Sequence, residues 1–513
     1  MLRRLTSNFA AQIASLAATF AERIVLVGIV VRAWGTPVYA DWVLLLAATG
    51  MLAMAELGLG IYFGNSWQNA DATGDKQRFH RLVGLSLYCY GIVALLMTAG
   101  IAGFILLGHG MEKITYHSLA PQTSVATFAL LSAAQITTIM RGSISQIYRG
   151  RGQFARGTLF AVVAQVSYVA VASVLVLVGA TVPVVASIYL GSSIAIGILM
   201  LLDLRRLYPD IVFRPIRPTG GEFREILAFA KWNLILMAMP VAILNGPVLL
   251  LGAIGVGSAG LAGFALMRTM SNYMRTLSSM LSLSTTVEIV PLLHRGENER
   301  AIKLLLISGR TISAFSGAIC AALLLLGRDL VGRWSGQADL FDTGLMFCLA
   351  AGAVLSAIAA PIFSLFMLSN QPRPAAISGL FQLVAVLILT VLLSPLQGTL
   401  GAATGLLGGE LIASCLILPL AARRAFGIKP WHYLGLCLLI ATVAGLWSGM
   451  VIVTLRALLT SATPFAFLAE WTAFALFALF PALWWSVPEG QRRHLFRIFI
   501  DRANLYLGRG ASR

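Results

Sequence analysis

The chain has 513 residues, of which 58% are hydrophobic and only 11% are charged, and its net charge is +17 at pH 7. A soluble domain carries about 25% charged residues, so this composition excludes an ordinary soluble fold and predicts a polytopic integral membrane protein. In such a protein an excess of bases first indicates cytoplasmic loops rich in Lys and Arg, so we expect no nucleic-acid partner.

About fourteen apolar segments are each long enough to cross roughly 30 Å of hydrocarbon as a helix. The first begins after Arg3 and Arg4, as a signal peptide would, but Gln12, Glu22 and Arg23 interrupt it. We therefore expect an uncleaved span. The sequence predicts an all-α integral membrane fold with spans near 9–31, 40–63, 82–108, 122–146, 155–179, 182–202, 225–251, 257–288, 303–327, 340–368, 375–396, 398–420, 433–457 and 465–487.

The distribution of basic residues predicts the orientation. If the N-terminus is cytoplasmic, most of the 37 Lys and Arg residues fall in cytoplasmic segments. Outside the spans, only Arg32, Lys113, Arg328, Arg333 and Arg456 fall on the opposite side. A bias of this kind over short loops indicates that the N- and C-termini both lie in the cytoplasm.

The longest predicted connection, from Asp203 to Arg224, divides the spans into two halves. We predict an N-terminal six-helix lobe at residues 1–210, a C-terminal six-helix lobe at 211–424, two additional transmembrane helices at 425–487 and a basic cytoplasmic tail at 488–513. The sequence from Gly74 to Leu82 resembles that from Gly296 to Leu304, and the same offset pairs Arg151 with Arg373. This pattern predicts two parallel pseudo-repeated lobes, as in two-lobed transporters.

Polar side chains recur at helical spacing in the first and eighth spans. They are Asn8, Gln12, Ser15, Thr19 and Arg23 in the first, and Arg268, Asn272, Arg275, Ser279 and Ser282 in the eighth. An arginine at the bilayer centre costs at least about 2.5–3.5 kcal/mol and usually faces protein or water. Because the two stripes belong to different halves, we predict a cationic central cavity. Its predicted substrate-binding residues are Arg23, Arg268, Arg275, Arg310, Lys231, Gln12 and Asn272.

The in-span bases also have a structural interpretation. Glu22, Glu56, Glu288 and Glu410 would then neutralise them in ion pairs between helices, with Glu22 the first candidate for Arg23. Glu56 and Glu410 are in addition candidates for ion coupling, since a carboxylate within a span is a common proton or cation site.

Motifs for enzymatic chemistry are absent from the sequence. The six histidines lie in loops or at span ends, and the five cysteines form no CxxC pair. We therefore expect no enzyme, no catalytic residue, no metal and no cofactor. Pro240 and Pro247 in the seventh span and Pro361 in the tenth predict kinks, which act either as hinges or as static bends.

Three short segments resemble those of a known family. They are Arg32-Ala33-Trp34-Gly35-Thr36-Pro37-Val38-Tyr39-Ala40, Glu56-Leu57-Gly58-Leu59-Gly60, and Tyr148-Arg149-Gly150-Arg151-Gly152-Gln153-Phe154. They are similar to the ARxLGpxxyG, dlGlg and RaxGrF segments of Wzx-type polysaccharide flippases, and the fourteen-span plan extends the resemblance over the whole chain. Trp34 and Ala40 stand where the family usually has Leu and Gly.

The resemblance implies a flippase of the multidrug/oligosaccharidyl-lipid/polysaccharide exporter superfamily. Such proteins move undecaprenyl-pyrophosphate-linked oligosaccharide repeat units across the bacterial inner membrane for O-antigen (lipopolysaccharide), capsule or exopolysaccharide biosynthesis. The implied partners are this lipid-linked substrate, membrane lipids, and a polysaccharide polymerase with its export machinery. Arginines of the first and eighth spans line the family's central cavity, and those spans contain Arg23 and Arg268 here.

Other functions remain open at this point. The first is a cation-coupled multidrug antiporter of the same superfamily, and the second is a lipid II flippase. The third is an intramembrane glycosyl or acyl transferase, or a polymerase. The two additional spans and the predominance of arginine in the polar stripes favour the polysaccharide flippase.

Overall fold

The computed structural model describes residues 2–106, 118–458 and 464–486, and within these ranges every regular element is helical. The elements up to the eighth helix are α1 Leu2–Ala21, a π-helical segment Glu22–Leu26, α2 Val27–Gly50, a 3-10 segment Met51–Glu56, α3 Leu59–Ala72, α4 Lys76–Leu106, α5 Pro121–Gly150, α6 Phe154–Leu177, α7 Val182–Leu207 and α8 Gly220–Ile254. The elements that follow are α9 Ser258–His294, α10 Asn298–Leu325, α11 Gly327–Ser335, a 3-10 segment Ala338–Leu340, α12 Thr343–Leu368, α13 Pro372–Gln397, α14 Thr399–Glu410, a second π-helical segment Leu411–Ile417, α15 Leu418–Phe426, α16 Pro430–Leu458, α17 Pro464–Phe474, a third π-helical segment Ala475–Leu479 and α18 Phe480–Ser486.

The number of crossings agrees with the prediction. In the described ranges, 12 helices are long and apolar enough to span a membrane. The first, Ala10–Glu56, has 47 residues, which correspond to about 70 Å of helix along the chain and so to more than two bilayer cores. It thus supplies two spans, and the apolar segment from Pro464 to Ser486 supplies the last. The all-α membrane fold with about fourteen transmembrane helices is confirmed.

The first resembling motif forms the connection between the first two spans. Gly35 has φ 78° and ψ 168°, a backbone conformation that side chains other than hydrogen rarely allow, and it separates two helical stretches. The indole N–H of Trp34 donates to the carbonyl of Ala180 at 2.9 Å. Fully buried Asp41 accepts from the backbone N–H groups of Ser118 and Leu119, which lie just before α5. The motif therefore fixes a sharp bend between spans.

The second motif breaks the helix again at the end of the second span. Leu57 and Gly58 both have positive φ, 55° and 73°, between a 3-10 segment and α3. The Glu56 carboxylate accepts from the backbone N–H of Gly60 and from the hydroxyl of Tyr90, the latter at 3.3 Å. A Cβ at Gly60 would lie 2.5 Å from Glu56 Oε1. Glu56 therefore caps α3, and glycine is required beside it.

The third motif anchors a loop by its second arginine. The guanidinium of Arg151 lies 4.2 Å from the ring centroid of Phe79 and 5.0 Å from that of Tyr208. It also pairs with Asp71 at 3.1 Å. These contacts join three connections that lie far apart in the sequence, and together they explain the arginine without reference to a substrate.

The contacts divide the chain into two compact units. Unit 1 comprises residues up to Leu266 together with Leu330–Leu340 and Val386–Gly405, and unit 2 comprises Met267–Asp329, Phe341–Ala385 and the chain from Leu406 onward. The predicted lobes at 1–210 and 211–424 rest on the internal repeat and stay a prediction. The predicted tail at 488–513 lies outside the described residues.

The internal repeat has a structural basis at its first pair of turns. Gly74 and Gly296 both adopt a left-handed φ, 69° and 77°, and each lies two residues after the end of a helix, α3 and α9 respectively. In both turns the N–H of the following residue donates to a carbonyl in the last turn of that helix, at 2.9 Å. The second pair is not equivalent, because Arg151 precedes α6 whereas Arg373 is already inside α13.

Each unit has its own packed core. Unit 1 is built around large buried aromatic residues, Phe63, Trp67, Phe79, Tyr90 and Tyr148. In unit 2, small residues on α10 allow close approach of α16. Gly317 lies directly against the backbone of Ala441, so that any Cβ there would overlap it. Small residues at such contacts are typical of membrane helix packing.

Candidate functional site

Arg23 lies in the π-helical segment of the first span, where short π-helical turns often mark functional sites. It is half-buried, and within the described part of the chain it makes no ion pair or side-chain hydrogen bond. The carbonyl of the next residue, Ile24, accepts from the indole N–H of Trp334 at 2.7 Å. Gly28 makes room for that indole, because a Cβ there would lie 2.8 Å from Trp334 Cδ1.

The segment Leu330–Leu340 fastens the same span further along. The guanidinium of Arg32 donates to the carbonyl of Arg333, and the hydroxyl of Thr36 lies 2.6 Å from Gln337 Oε1. The Trp334 contact lies before Gly28 in the sequence and these two contacts lie after it, so together they fix the span that contains the π-helical segment. Sequence analysis missed them, because residues about 300 positions apart leave no local pattern.

A second in-span base of unit 1, Arg141, is not among the predicted site residues. It is half-buried on α5, nine residues before Gly150 and hence about 13.5 Å from that end. It interacts electrostatically with Tyr189 on α7. The hydroxyl of Tyr189 is hydrogen-bonded to Thr138, which in turn lies 3.1 Å from the hydroxyl of Ser193. Sequence analysis did not select Arg141, because this residue lies close to the loop arginines.

Glu22 has a partner other than the predicted one. Its carboxylate accepts a hydrogen bond from the amide of Gln165 on α6 at 2.5 Å. The rings of Tyr168 and Tyr189 lie next to it, with centroids 4.9 Å apart, and both interact electrostatically with Glu22. The expected Glu22–Arg23 pair is thus not among the ion pairs of the described residues.

In unit 2, Arg275 is paired with a carboxylate. Its guanidinium binds Glu410, whose second oxygen accepts from the hydroxyl of Ser414 at 2.8 Å. Glu410 is 3% exposed and directly precedes the second π-helical segment. Gly352 opposes the pair, since a Cβ there would lie 3.3 Å from Arg275 Nη2. Arg275 therefore has the ion-pair partner that its structural interpretation requires. The same pair places Glu410, a candidate for ion coupling, beside a base.

Arg310 lies on α10, twelve residues after Asn298 and hence about 18 Å from the start of that helix. It is half-buried, and its Nε atom is buried without a hydrogen-bond partner in the described residues. The neighbouring Gly309 packs against the ring of Tyr433, whose hydroxyl donates to the carbonyl of Ile358 at 2.9 Å. Helix α10 therefore packs tightly against α16 at the residue next to Arg310.

The remaining predicted residues occupy different environments. Arg268 and Asn272 are half-buried on α9, whereas Gln12 is exposed on α1. Ser282, further along the α9 stripe, lies 3.1 Å from Ser364 on α12, so part of this stripe serves packing within unit 2. The side chain of Lys231 lies outside the described residues.

Half-buried in-span bases occur in each of the two units. Three half-buried arginines within spans, Arg23, Arg141 and Arg310, have no ion-pair partner among the residues that the structure describes. A charge held at this depth without compensation is costly, so such residues usually serve a ligand or a water-filled path.

The comparisons with known proteins concern the fold. No family model and no curated protein matches the sequence. Among solved structures, an inward-facing multidrug resistance MATE family transporter of the MOP superfamily has a TM-score of 0.66 at 17% identity, over 81% of this chain and 98% of its own. The lipid II flippase MurJ, in an inward closed conformation, has a TM-score of 0.66 at 12% identity, over 94% of this chain and 98% of its own.

The chain has the fold of the MOP-superfamily transporters. A third structure with this MOP fold is a transporter from Pyrococcus furiosus, described by a reversed polarity of its binding pocket. It has a TM-score of 0.54 at 15% identity, over 83% of this chain and 94% of its own. The similarity agrees with the predicted multi-pass membrane architecture.

Proposed function

We propose that this protein is a flippase that moves undecaprenyl-pyrophosphate-linked oligosaccharide repeat units across the bacterial inner membrane by alternating access. The observation that carries the proposal is that two in-span arginines, Arg23 and Arg310, have no acidic partner in the described part of the chain. A pyrophosphate head carries about two negative charges, and its entry into a low-dielectric interior requires compensating bases. Arg268 on α9 is a further candidate to bind the head.

The membrane potential supports outward movement of such a substrate. An anion that leaves the negative interior gains about 2.3 kcal/mol per charge for every 100 mV. A cation that is exported works against the same potential and would need coupling to an ion gradient. The predominance of in-span bases is therefore matched to an outward-moving anionic headgroup, whose prenyl tail stays in the lipid.

The extent of the structural similarity also favours a lipid-linked substrate. The MurJ match covers 94% of this chain, compared with 81% for the MATE transporter described above. The difference is about the length of the segment from α16 to α18, which the sequence predicts as two additional spans. We infer that these helices align with MurJ, the lipid II flippase.

The second candidate is a cation-coupled multidrug antiporter. It is favoured by the buried carboxylate of Glu410 and by the MATE transporters with this fold. Glu56 is less suited to ion coupling, because it caps α3 through the N–H of Gly60. The direct pairing of Glu410 with Arg275 leaves little net negative charge to attract a cation.

The location and partners follow from the proposed substrate. We propose that the protein lies in the inner membrane with both termini in the cytoplasm, and that a polysaccharide polymerase and export machinery use its product in the synthesis of O-antigen, capsule or exopolysaccharide. No nucleic-acid partner and no enzymatic step belong to this proposal.

Reconstitution separates the two candidates. Purified protein in liposomes should move a fluorescent undecaprenyl-pyrophosphate glycolipid between leaflets, measured by loss of fluorescence to a quencher that cannot cross the bilayer. The same liposomes should show no uptake of a cationic dye driven by a pH gradient. Dye uptake without lipid movement would reject the flippase and support the antiporter.

A further inference from the structure

A cluster of polar and aromatic side chains lies inside unit 1, apart from the bases that bind the headgroup in the proposed function. It is formed by Glu22 of the π-helical segment, Thr138 and Arg141 of α5, Gln165 and Tyr168 of α6, and Tyr189 of α7. Its contacts are the Gln165–Glu22 hydrogen bond of 2.5 Å, the Tyr168–Tyr189 ring pair at 4.9 Å and the hydrogen bond between Tyr189 and Thr138.

The cluster is at the depth of the hydrocarbon. Gln165 lies eleven residues, or about 16 Å, after the start of α6. Tyr189 lies seven residues, or about 10 Å, after the start of the next helix, α7. Both are half-buried, as are Glu22 and Arg141. Charged groups at this depth usually face protein or a water-filled cavity rather than lipid.

The charges in the cluster select against ions as ligands. Glu22 contributes a carboxyl group and Arg141 a guanidinium group, and both interact with Tyr189. A phosphate in contact with these residues would lie against the carboxylate, and a metal cation would find a single carboxylate with a guanidinium nearby. The cluster therefore fits a neutral ligand rather than an anion or a cation.

The chemistry of the side chains fits a sugar ring. A sugar presents hydroxyl groups, which both donate and accept hydrogen bonds, around a ring with apolar C–H faces. Gln165, Glu22 and Arg141 supply amide, carboxylate and guanidinium partners, and Tyr189 supplies an aromatic face with a polar edge. Arg23, directly after Glu22 in the π-helical segment, supplies a base beside the sugar-binding groups.

We propose that this cluster is a carbohydrate-binding subsite that holds a sugar of the lipid-linked glycan while Arg23 holds its phosphate. The inference rests on the proposed function and deepens it, because it assigns recognition of the sugar to unit 1. The subsite distinguishes the sugar-bearing lipid from the same lipid without a sugar.

Lipid binding to the full-length protein in nanodiscs tests the subsite. The probes are bare undecaprenyl pyrophosphate and the same lipid carrying glucose, galactose or N-acetylglucosamine. Wild type should bind at least one sugar-bearing lipid more tightly than the bare lipid. Gln165→Leu and Tyr189→Leu should each reduce that affinity about five- to tenfold, the loss expected when one or two hydrogen bonds are removed. Their affinity for the bare lipid should stay unchanged, which also shows that the variants are folded.

Tyr88→Leu, which removes a half-buried tyrosine of α4 outside the cluster, is the matched control and should leave both affinities unchanged. Equal losses for sugar-bearing and bare lipid in the cluster variants, or no loss for either, would overturn the subsite. Equal affinity of wild type for all lipids would overturn it as well. Failure of wild type to bind any of these lipids would reject the proposed function itself.

Discussion

At the scale of single residues, glycines and charged side chains in the resembling motifs have clear structural roles. Gly35 and Gly58 adopt positive φ at helix breaks, and Gly60 leaves room for the Glu56 carboxylate. Arg151 stacks on aromatic rings of unit 1. The motifs that suggested a family thus maintain the backbone, whereas the residues proposed to meet the substrate lie outside these motifs.

One ion pair makes stability depend on pH. Arg81 binds the carboxylate of Glu222 at 2.6 Å, and Glu222 also caps α8 through the N–H of Thr219 at 2.8 Å. The Arg81 hydrogen bond is the main cause that lowers the pKa of Glu222 from 4.5 to about 2. Because the folded pKa is depressed, this stabilisation is complete above pH 4.5 and is lost as the pH falls toward 2.

Arg81→Met should therefore weaken the fall in melting temperature between pH 4.5 and pH 2, measured in detergent by the unfolding of the purified protein. The effect is small because both side chains are partly exposed. Arg424→Met, which changes an exposed arginine at the end of α15, is the matched control and should keep the wild-type slope. An unchanged slope in Arg81→Met would show that the pair does not lower the pKa of Glu222.

At the scale of secondary-structure elements, the helices are set by apolar length and by the small residues between them. The contact of α10 with α16 depends on Gly317, which lies against the backbone of Ala441. Gly435, on α16 itself, has no atom within 4 Å of the place where a Cβ would stand. Alanine substitution at these two glycines therefore compares a tightly packed position with one where only the helical backbone is affected.

Gly317→Ala should destabilise the protein by roughly 1–3 kcal/mol, the usual cost of overpacking a tight contact. Gly435→Ala should be neutral or stabilise by about 0.5–1 kcal/mol, because alanine is the better helix former. Chemical denaturation of both variants in one detergent gives the comparison. Equal stability of the two variants would mean that α10 and α16 do not approach as closely as the structure shows.

At the scale of the whole molecule, the sequence predicted the membrane class and about fourteen spans, because hydrophobic length is a local property. It did not predict that Trp334 would bind the carbonyl of Ile24, and it named Glu410 as one of four possible ion-pair partners of the in-span bases without assigning it to Arg275. These partners lie 310 and 135 positions apart, and no periodicity within one helix records them. Arg141 was missed because it lies close to loop arginines.

The proposed orientation can be tested with single cysteines. Glu299→Cys should react with a membrane-impermeant maleimide only from the cytoplasm, and Thr181→Cys only from the periplasm, because both positions are exposed on opposite sides of the predicted topology. Glu299 is preferred to Gly296, whose φ of 77° disfavours a side chain. The five native cysteines are buried or half-buried and should give little background. The reverse pattern of labelling would invert the proposed topology.

The central claim is that in-span arginines compensate the charge of a pyrophosphate lipid, and its most direct measurement is lipid flipping by Arg23→Gln in reconstituted liposomes. Loss of a charge-assisted contact of about 1.4 kcal/mol or more predicts at least a tenfold slower movement of the undecaprenyl-pyrophosphate glycolipid. Arg424→Gln, the exposed control, should flip at the wild-type rate. Wild-type flipping by Arg23→Gln, at equal protein levels, would contradict the account.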